Sequence, residues 1–244
     1  MSVQRRVEYG LSRLTSAFPE PKIVYEQYPT SPEIASHMFA MMDEEGDVEG
    51  RHILDLGSGT GMLSLGALLA GAASVRGIEI DPDAMAVAEE NLALLVEAGE
   101  VDEEEAERVV WQEGDVLEVG EGEGEEDGGG EGGAARIEAD TVVLNPPFGT
   151  KKVKGLDTKF LTVAFACAKR AVYSLHKTST RRFLLKFAKK MGVEAEVLAQ
   201  LRYDLPKSYR FHKKKSVDIE VDFIRFRIPE RRAVGAEAEA EQQE

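Results

Sequence analysis

The chain has 244 residues, 43% of them hydrophobic, enough to bury the core of one α/β domain. A single cysteine, Cys167, excludes an intrachain disulfide and a cysteine-based zinc site, and His37, His52, His176 and His212 lack ligand spacing, so no metal is expected. A formal net charge of -15 argues, taken as an average, against a nucleic-acid partner.

The average conceals a division. Residues 145–229 hold 20 Lys and Arg against 7 Asp and Glu, whereas the remainder holds 10 against 38. Such asymmetry suggests a basic binding face on a chain whose acid lies elsewhere. The longest apolar stretch, residues 62–75, is too short and glycine-rich to span a bilayer, and the first residues lack a signal-peptide pattern. A soluble, intracellular protein in a reducing compartment, without a membrane partner, is expected.

In chain order, HILDL at residues 52–56 is a short apolar run ending in glycines, followed by helix-length apolar content over 62–71. SVRGIEI at 74–80 is a second strand. Pro82 then suits a first helical turn with Asp81 as cap, and 84–95 has helical periodicity. Residues 108–111 and 140–144 read as further strands, 160–170 as helix, 171–175 as strand and 180–191 as a basic amphipathic helix. Residues 196–205 and 217–228 are strands joined by a loop alone, which suits an antiparallel pair. In the last, Val217, Ile219, Val221 and Phe223 alternate before Ile224, Phe226 and Ile228 take the other phase, which predicts a bulge near Phe223. Strands alternating with helices indicate an α/β doubly wound, seven-stranded, mostly parallel sheet with an antiparallel C-terminal hairpin, the order found in Rossmann-like class I methyltransferases. One domain over 1–229 is expected. Residues 118–138 form a Gly/Glu insert too polar to fold, and the acidic tail 230–244 reads the same way; both are expected to be disordered.

The chemistry gathers at strand ends. DLGSGTG, from Asp55 to Gly61, follows a strand and precedes a helix, where glycines allow a tight turn and close approach of a cofactor. Its G-x-G-x-G spacing after an acid differs from that of pyrophosphate binders, and S-adenosylmethionine fits better than a dinucleotide. Glu79 ends the second strand where a carboxylate can accept both ribose hydroxyls, and Asp115, past the third, can accept from the adenine amine. At residues 141–150, TVVLNPPFGT, an apolar strand stops at Asn145 because Pro146 and Pro147 cannot donate ladder bonds. Methyl transfer to an exocyclic amine requires acceptors on its two hydrogens. The Asn145 side-chain carbonyl and the Pro146 main-chain carbonyl can take them, and Phe148 can stack on an extruded base, an interaction worth roughly 1–3 kcal/mol.

NPPF in this place resembles the amino-methyltransferases of adenine N6 or of the glutamine amide. Longer blocks narrow the resemblance: EQYPT from Glu26, NPPFGTK from Asn145, AVYSLHK from Ala171, RYDLP from Arg202 and FHKKKSVDIEV from Phe211 look like the methyltransferase-like protein five family. That resemblance implies N6-methyladenosine formation at one site in 18S small-subunit rRNA and a heterodimer with a small zinc-binding Trm112-type activator, with localisation in nucleus, nucleolus and cytoplasm. By the family pattern Gln27, Thr30, Gly57, Thr60, Glu79, Asp115 and Val116 line the cofactor, and Asn145, Pro146, Pro147 and Phe148 the adenine. Ser58 and Thr60 stand where relatives often carry cysteine, and Glu79 where Asp is usual. Lys151, Lys152, Lys154, His212, Lys213, Lys214 and Lys215 then become RNA contacts. A protein glutamine-N5 methyltransferase of the same fold and a non-catalytic RNA-binding assembly module are the alternatives.

Overall fold

A computed structural model describes residues 1–119, 137–148, 155–206 and 216–229. Seven strands form one sheet in the order β3-β2-β1-β4-β5-β7-β6. They are β1 (His52–Leu56), β2 (Ser74–Glu79), β3 (Val109–Glu113), β4 (Ala139–Leu144), β5 (Ala168–Lys177), β6 (Glu194–Pro206) and β7 (Ser216–Arg227). Strands β1 to β5 run parallel, and β7 lies antiparallel between β5 and β6. The expected α/β architecture with its C-terminal hairpin is therefore present. The strand order turns around between β1 and β4, which opens a crevice beyond their carboxyl ends.

Helices cover both faces. Helices α1 (Val3–Leu11), α2 (Pro32–Glu44) and α3 (Met62–Leu69) bury Val7, Leu11, Met38, Phe39, Leu65 and Leu69 on one face, joined by Leu95 of α4 (Pro82–Glu97). After the short α5 (Glu103–Ala106), α6 (Leu156–Cys167) and α7 (Arg181–Lys190) bury Leu161, Phe165, Leu184 and Ala188 on the other. Each such large apolar side chain contributes about 1.5–3 kcal/mol when fully buried.

Helices α1 and α2 are absent from the sequence reading, although signals for α2 exist. Ser31 caps it by accepting from Ile34 N at 3.2 Å, and Pro32 and Glu33 follow in the first turn. The boundary between α6 and β5 also moves. The strand starts at Ala168 because Ala168 pairs with Ala139 of β4, and that pairing outweighs the helical propensity of Lys169 and Arg170.

The bulge expected near Phe223 lies on the neighbouring strand. Strand β7 pairs with β5 without a break from Arg227 to Val221, while the register against β6 jumps between Val197 and Ala199, so the extra residue is Leu198. The change of phase in β7 has another cause: residues 221–226 are buried on both faces, with Phe223 in one core and Ile224 and Phe226 in the other. Central strands read as continuous rather than alternating apolar runs.

The edges of the expected Gly/Glu insert also contract. Glu118 ends a 3₁₀ turn (Val116–Glu118), and Val119 and Ile137 pack against the core. Glu138 forms an ion pair with Lys169 at 3.0 Å. The rest of the insert and the acidic tail lie outside the described residues. No helix among the described residues is long and apolar enough to cross a membrane.

Candidate active site

A cavity of about 230 Å³ occupies the crevice beyond β1 and β4. Of the residues singled out in the sequence, Gln27, Thr30, Gly57, Glu79, Asp115, Val116, Asn145 and Pro147 line it, whereas Thr60, Pro146 and Phe148 do not. Lys151, Lys152, Lys154, His212, Lys213, Lys214 and Lys215 lie outside the described residues. Phe18, Leu156 and Phe160 supply apolar wall that the sequence reading missed.

The end beyond β1 and β2 is built on a buried carboxylate. Glu79 is 6% exposed. Its Oε2 accepts from Gly59 N at 2.7 Å, and its Oε1 from Ile80 N and Asp81 N at 3.0 Å each. Burial raises its pKa, and these three N–H donors oppose the rise. A carboxylate offers about four lone-pair positions, so roughly one remains for a ribose hydroxyl. Engaging both hydroxyls, as the sequence suggested, requires the Gly59 N–H to yield. Gly59 itself sits at φ 53°, and a Cβ there would come within 2.9 Å of Phe18. Only glycine lets the loop pass under that ring.

Two expected cofactor residues have structural duties instead. Gln27 Nε2 donates to Asp81 Oδ2 at 2.6 Å while Gln27 Oε1 accepts from Lys22 N at 2.7 Å, so its amide ties the 22–30 segment to the end of β2. Thr60 donates to Ser16 O at 3.2 Å, and its own carbonyl accepts from Asn91 Nδ2 at 3.0 Å. Asn91 also exchanges two bonds with the Thr15 main chain at 2.9 Å, so together they clamp the N-terminal segment over the glycine loop. Asp115 caps the 3₁₀ turn through Leu117 N at 2.9 Å. Beneath the loop Asp55 is fully buried, with Oδ2 accepting from Ser64 Oγ at 2.7 Å. Burial pushes its carboxyl up to about 7.

The end beyond β4 is held from a distant part of the chain. Asn145 Nδ2 donates to Thr30 Oγ1 at 3.0 Å and points to Tyr28 O at 3.5 Å. With Nδ2 committed there, the other branch of the amide is its acceptor, Oδ1. Thr30 thus orients Asn145, a role the cofactor assignment did not contain. Phe148 is 6% exposed and stacks on Tyr28, with centroids 5.7 Å apart and planes at 23°. Lys177, at the end of β5, holds Nζ 5.6 Å from the Phe148 centroid. The ring therefore braces the corner from within the core instead of presenting a face to the cavity. Tyr28 and Lys177 were missed as parts of the site, since only folding brings EQYPT and SLHK to NPPF. Next to Lys177, His176 is buried and shares a 2.8 Å bond with Ser174 Oγ, and burial pushes its pKa down to about 3.

Comparison with known proteins divides along the same line. A family model described as ribosomal protein L11 methyltransferase (PrmA) matches residues 37–118, from α2 through the cofactor end, and stops before Asn145. Longer matches cover both ends. The chain is 45% identical over 210 residues to the rRNA N(6)-adenosine-methyltransferase METTL5 of Danio rerio, spanning 86% of this chain and 91% of the relative. It is equally 45% identical over 212 residues to the rRNA N(6)-adenosine-methyltransferase Mettl5 of Drosophila melanogaster, spanning 86% and 90%. Among solved structures, PH1948 of Pyrococcus horikoshii superposes with a TM-score of 0.71 at 33% identity, over 93% of this chain and 97% of that one. A span of that length contains the glycine loop and the Asn145 corner together, and on it the chain belongs to the METTL5 family.

Proposed function

We infer that the protein is an S-adenosylmethionine-dependent methyltransferase that forms N6-methyladenosine in ribosomal RNA. The observation that carries this reading is the placement of Asn145 and Glu79 on one cavity wall, with the Asn145 amide turned by Thr30. The cofactor fits the residues present: bare glycine backbone at Gly57, a buried carboxylate with acceptor capacity at Glu79, and apolar flanks at Ile80 and Val116. When bound, S-adenosylmethionine supplies a methyl group activated as a sulfonium.

The chain supplies position. Asn145 Oδ1 accepts a hydrogen from the adenine amine, and the Pro146 carbonyl takes the second, which frees the nitrogen lone pair from the ring. Holding the two reactants in line accounts for much of the rate, and no general base is needed because the proton leaves after transfer. Phe148, stacked on Tyr28, keeps the corner rigid.

The finer reading is 18S rRNA as substrate and a small zinc-binding Trm112-type subunit as activator, with work in the nucleolus and cytoplasm. Apolar exposure at one sheet edge supports a protein partner there: Val110 on β3 is 54% exposed and Leu94 on α4 is 44% exposed. The test is to co-express the chain with that subunit, supply labelled cofactor with small-subunit rRNA or with a release factor, and identify the methylated atom. Label on adenine N6 is expected. Label on a glutamine amide, or none on either substrate, would overturn the reading.

A further inference from the structure

Helix α7 has a composition that its own stability does not explain. Between Asp157 and Glu194 the chain has no acidic residue and nine Lys and Arg. Three of the nine are used inside the protein: Lys169 pairs with Glu138, Arg170 with Asp47 and Arg181 with Asp222. Lys177 sits over Phe148. Four of the rest, Arg182, Lys186, Lys189 and Lys190, are exposed on α7 with no acidic partner among the described residues. At roughly 100° per residue these four fall within an arc of roughly 100°, opposite the buried Leu184 and Ala188. Phe183, 58% exposed, borders the arc.

A solvated helix face would carry mixed charge. Here Arg182, Lys186 and Lys190 stand at successive i,i+4 positions, where like charges weaken a helix. Arg182 also lies in the first turn, at the positive end of the helix dipole. Only Lys189 and Lys190, in the last turn, gain from the dipole. This face belongs to a chain of net charge -15, which makes a same-sign patch stand out further. Its position is fixed by topology: α7 follows β5 after one 3₁₀ turn (Thr178–Thr180), so it begins at the rim where Lys177 meets Phe148. From there it runs about 12 Å away from the site.

We propose that the exposed face of α7 docks the phosphate backbone of a double-helical segment of the substrate RNA flanking the target adenine, a proposal that rests on the reading of an RNA substrate. Charge complementarity selects this occupant. Arg182, Lys186, Lys189 and Lys190 neutralise phosphates, and Phe183 lies against the sugar edge beside them.

The test is the combined variant Arg182→Gln, Lys186→Gln, Lys189→Gln, Lys190→Gln in the full chain, co-expressed with its activator subunit. Glutamine retains helix propensity, and an unchanged melting temperature verifies the fold. Methylation of complete small-subunit rRNA should fall roughly 10- to 100-fold in kcat/KM, with a salt dependence shallower by about 3 in log–log slope, at roughly 0.9 per duplex phosphate contact. A short oligonucleotide carrying only the target loop should be methylated at the wild-type rate. Neutralising Arg5 and Arg6 of α1, on the opposite face, should change neither rate. Equal activity of the combined variant and the wild type on complete rRNA overturns the docking face. So does loss of a copurifying protein with rRNA methylation intact, since the face would then serve a protein. Failure of the wild type to methylate any RNA is a separate result and removes the functional reading as well.

Discussion

The two ends of the cavity are held by different kinds of contact. At the cofactor end, Glu79 is fixed by main-chain N–H groups of Gly59, Ile80 and Asp81, all within 20 residues of it. At the acceptor end, Asn145 is fixed by Tyr28 and Thr30, more than a hundred residues earlier in the chain. The PrmA match covers the first end and omits the second. Cofactor binding is thus a local device that different methyltransferases can share, while the choice of acceptor depends on an N-terminal strap laid across the sheet.

The sharpest way to break this division is Asn145→Ala. Deleting the amide should reduce methyl transfer by at least about 10²-fold, the size expected for one preorganised polar contact at the reacting group. Cofactor affinity should stay within twofold, read by calorimetry beside a labelled-methyl assay. Retention of a tenth or more of the wild-type rate would show that Asn145 does not hold the amine.

Glu79→Ala should act in the opposite sense. It removes the ribose acceptor and strands three main-chain donors, so the dissociation constant for S-adenosylmethionine should rise about 10- to 100-fold. The rate at saturating cofactor should change far less. An effect on that rate alone would place Glu79 in the acceptor machinery and erase the distinction between the ends.

Thr30 lies between them, and the sequence pattern assigned it to the cofactor. The geometry makes it a positioning residue for Asn145. Thr30→Val keeps the volume and removes the hydroxyl, so kcat should fall about tenfold with cofactor affinity unchanged, and Thr30→Ser should recover most of the loss. A rise in the cofactor dissociation constant with kcat intact would return Thr30 to the other end.

This asymmetry also governed what could be read in advance. DLGSGTG, Glu79 and Asp115 announce themselves because a glycine turn after a strand and acids at strand ends have local signatures. The order of strands and the terminal hairpin were legible for the same reason. Tyr28, Thr30 and Lys177 have no such signature, since a Thr–Asn bond 115 residues apart and a Lys over a Phe exist only after the sheet has formed. The displaced bulge has a related cause. Two-sided burial of β7 imitates a change of phase in one dimension, and only the neighbouring strands separate the two explanations.

Asp55→Asn should have the smallest effect on transfer, and it probes the cofactor end through stability. The folded carboxyl has its pKa near 7, against an unfolded value near 3.8, because it is buried beside Ser64. Below pH 4 both states are protonated. As pH rises from about 4 to 7 the unfolded state loses its proton while the folded state keeps it, so the wild type loses stability across that window. The shift sets an upper bound of about 4 kcal/mol. His176 slopes the other way, because its folded pKa near 3 lies below the unfolded value of 6.5 and stability is lost as pH falls between them. Comparing Asp55→Asn with the wild type cancels that contribution, since His176 is common to both. Asparagine can still accept the Ser64 hydrogen bond, so the two proteins should melt together at pH 4. The variant should then melt progressively higher, by several degrees at pH 8, at about 2–4 °C per kcal/mol for a chain of this size. A melting difference that does not change with pH would show that Asp55 is ionised throughout, and that the floor of the cofactor end carries a buried charge.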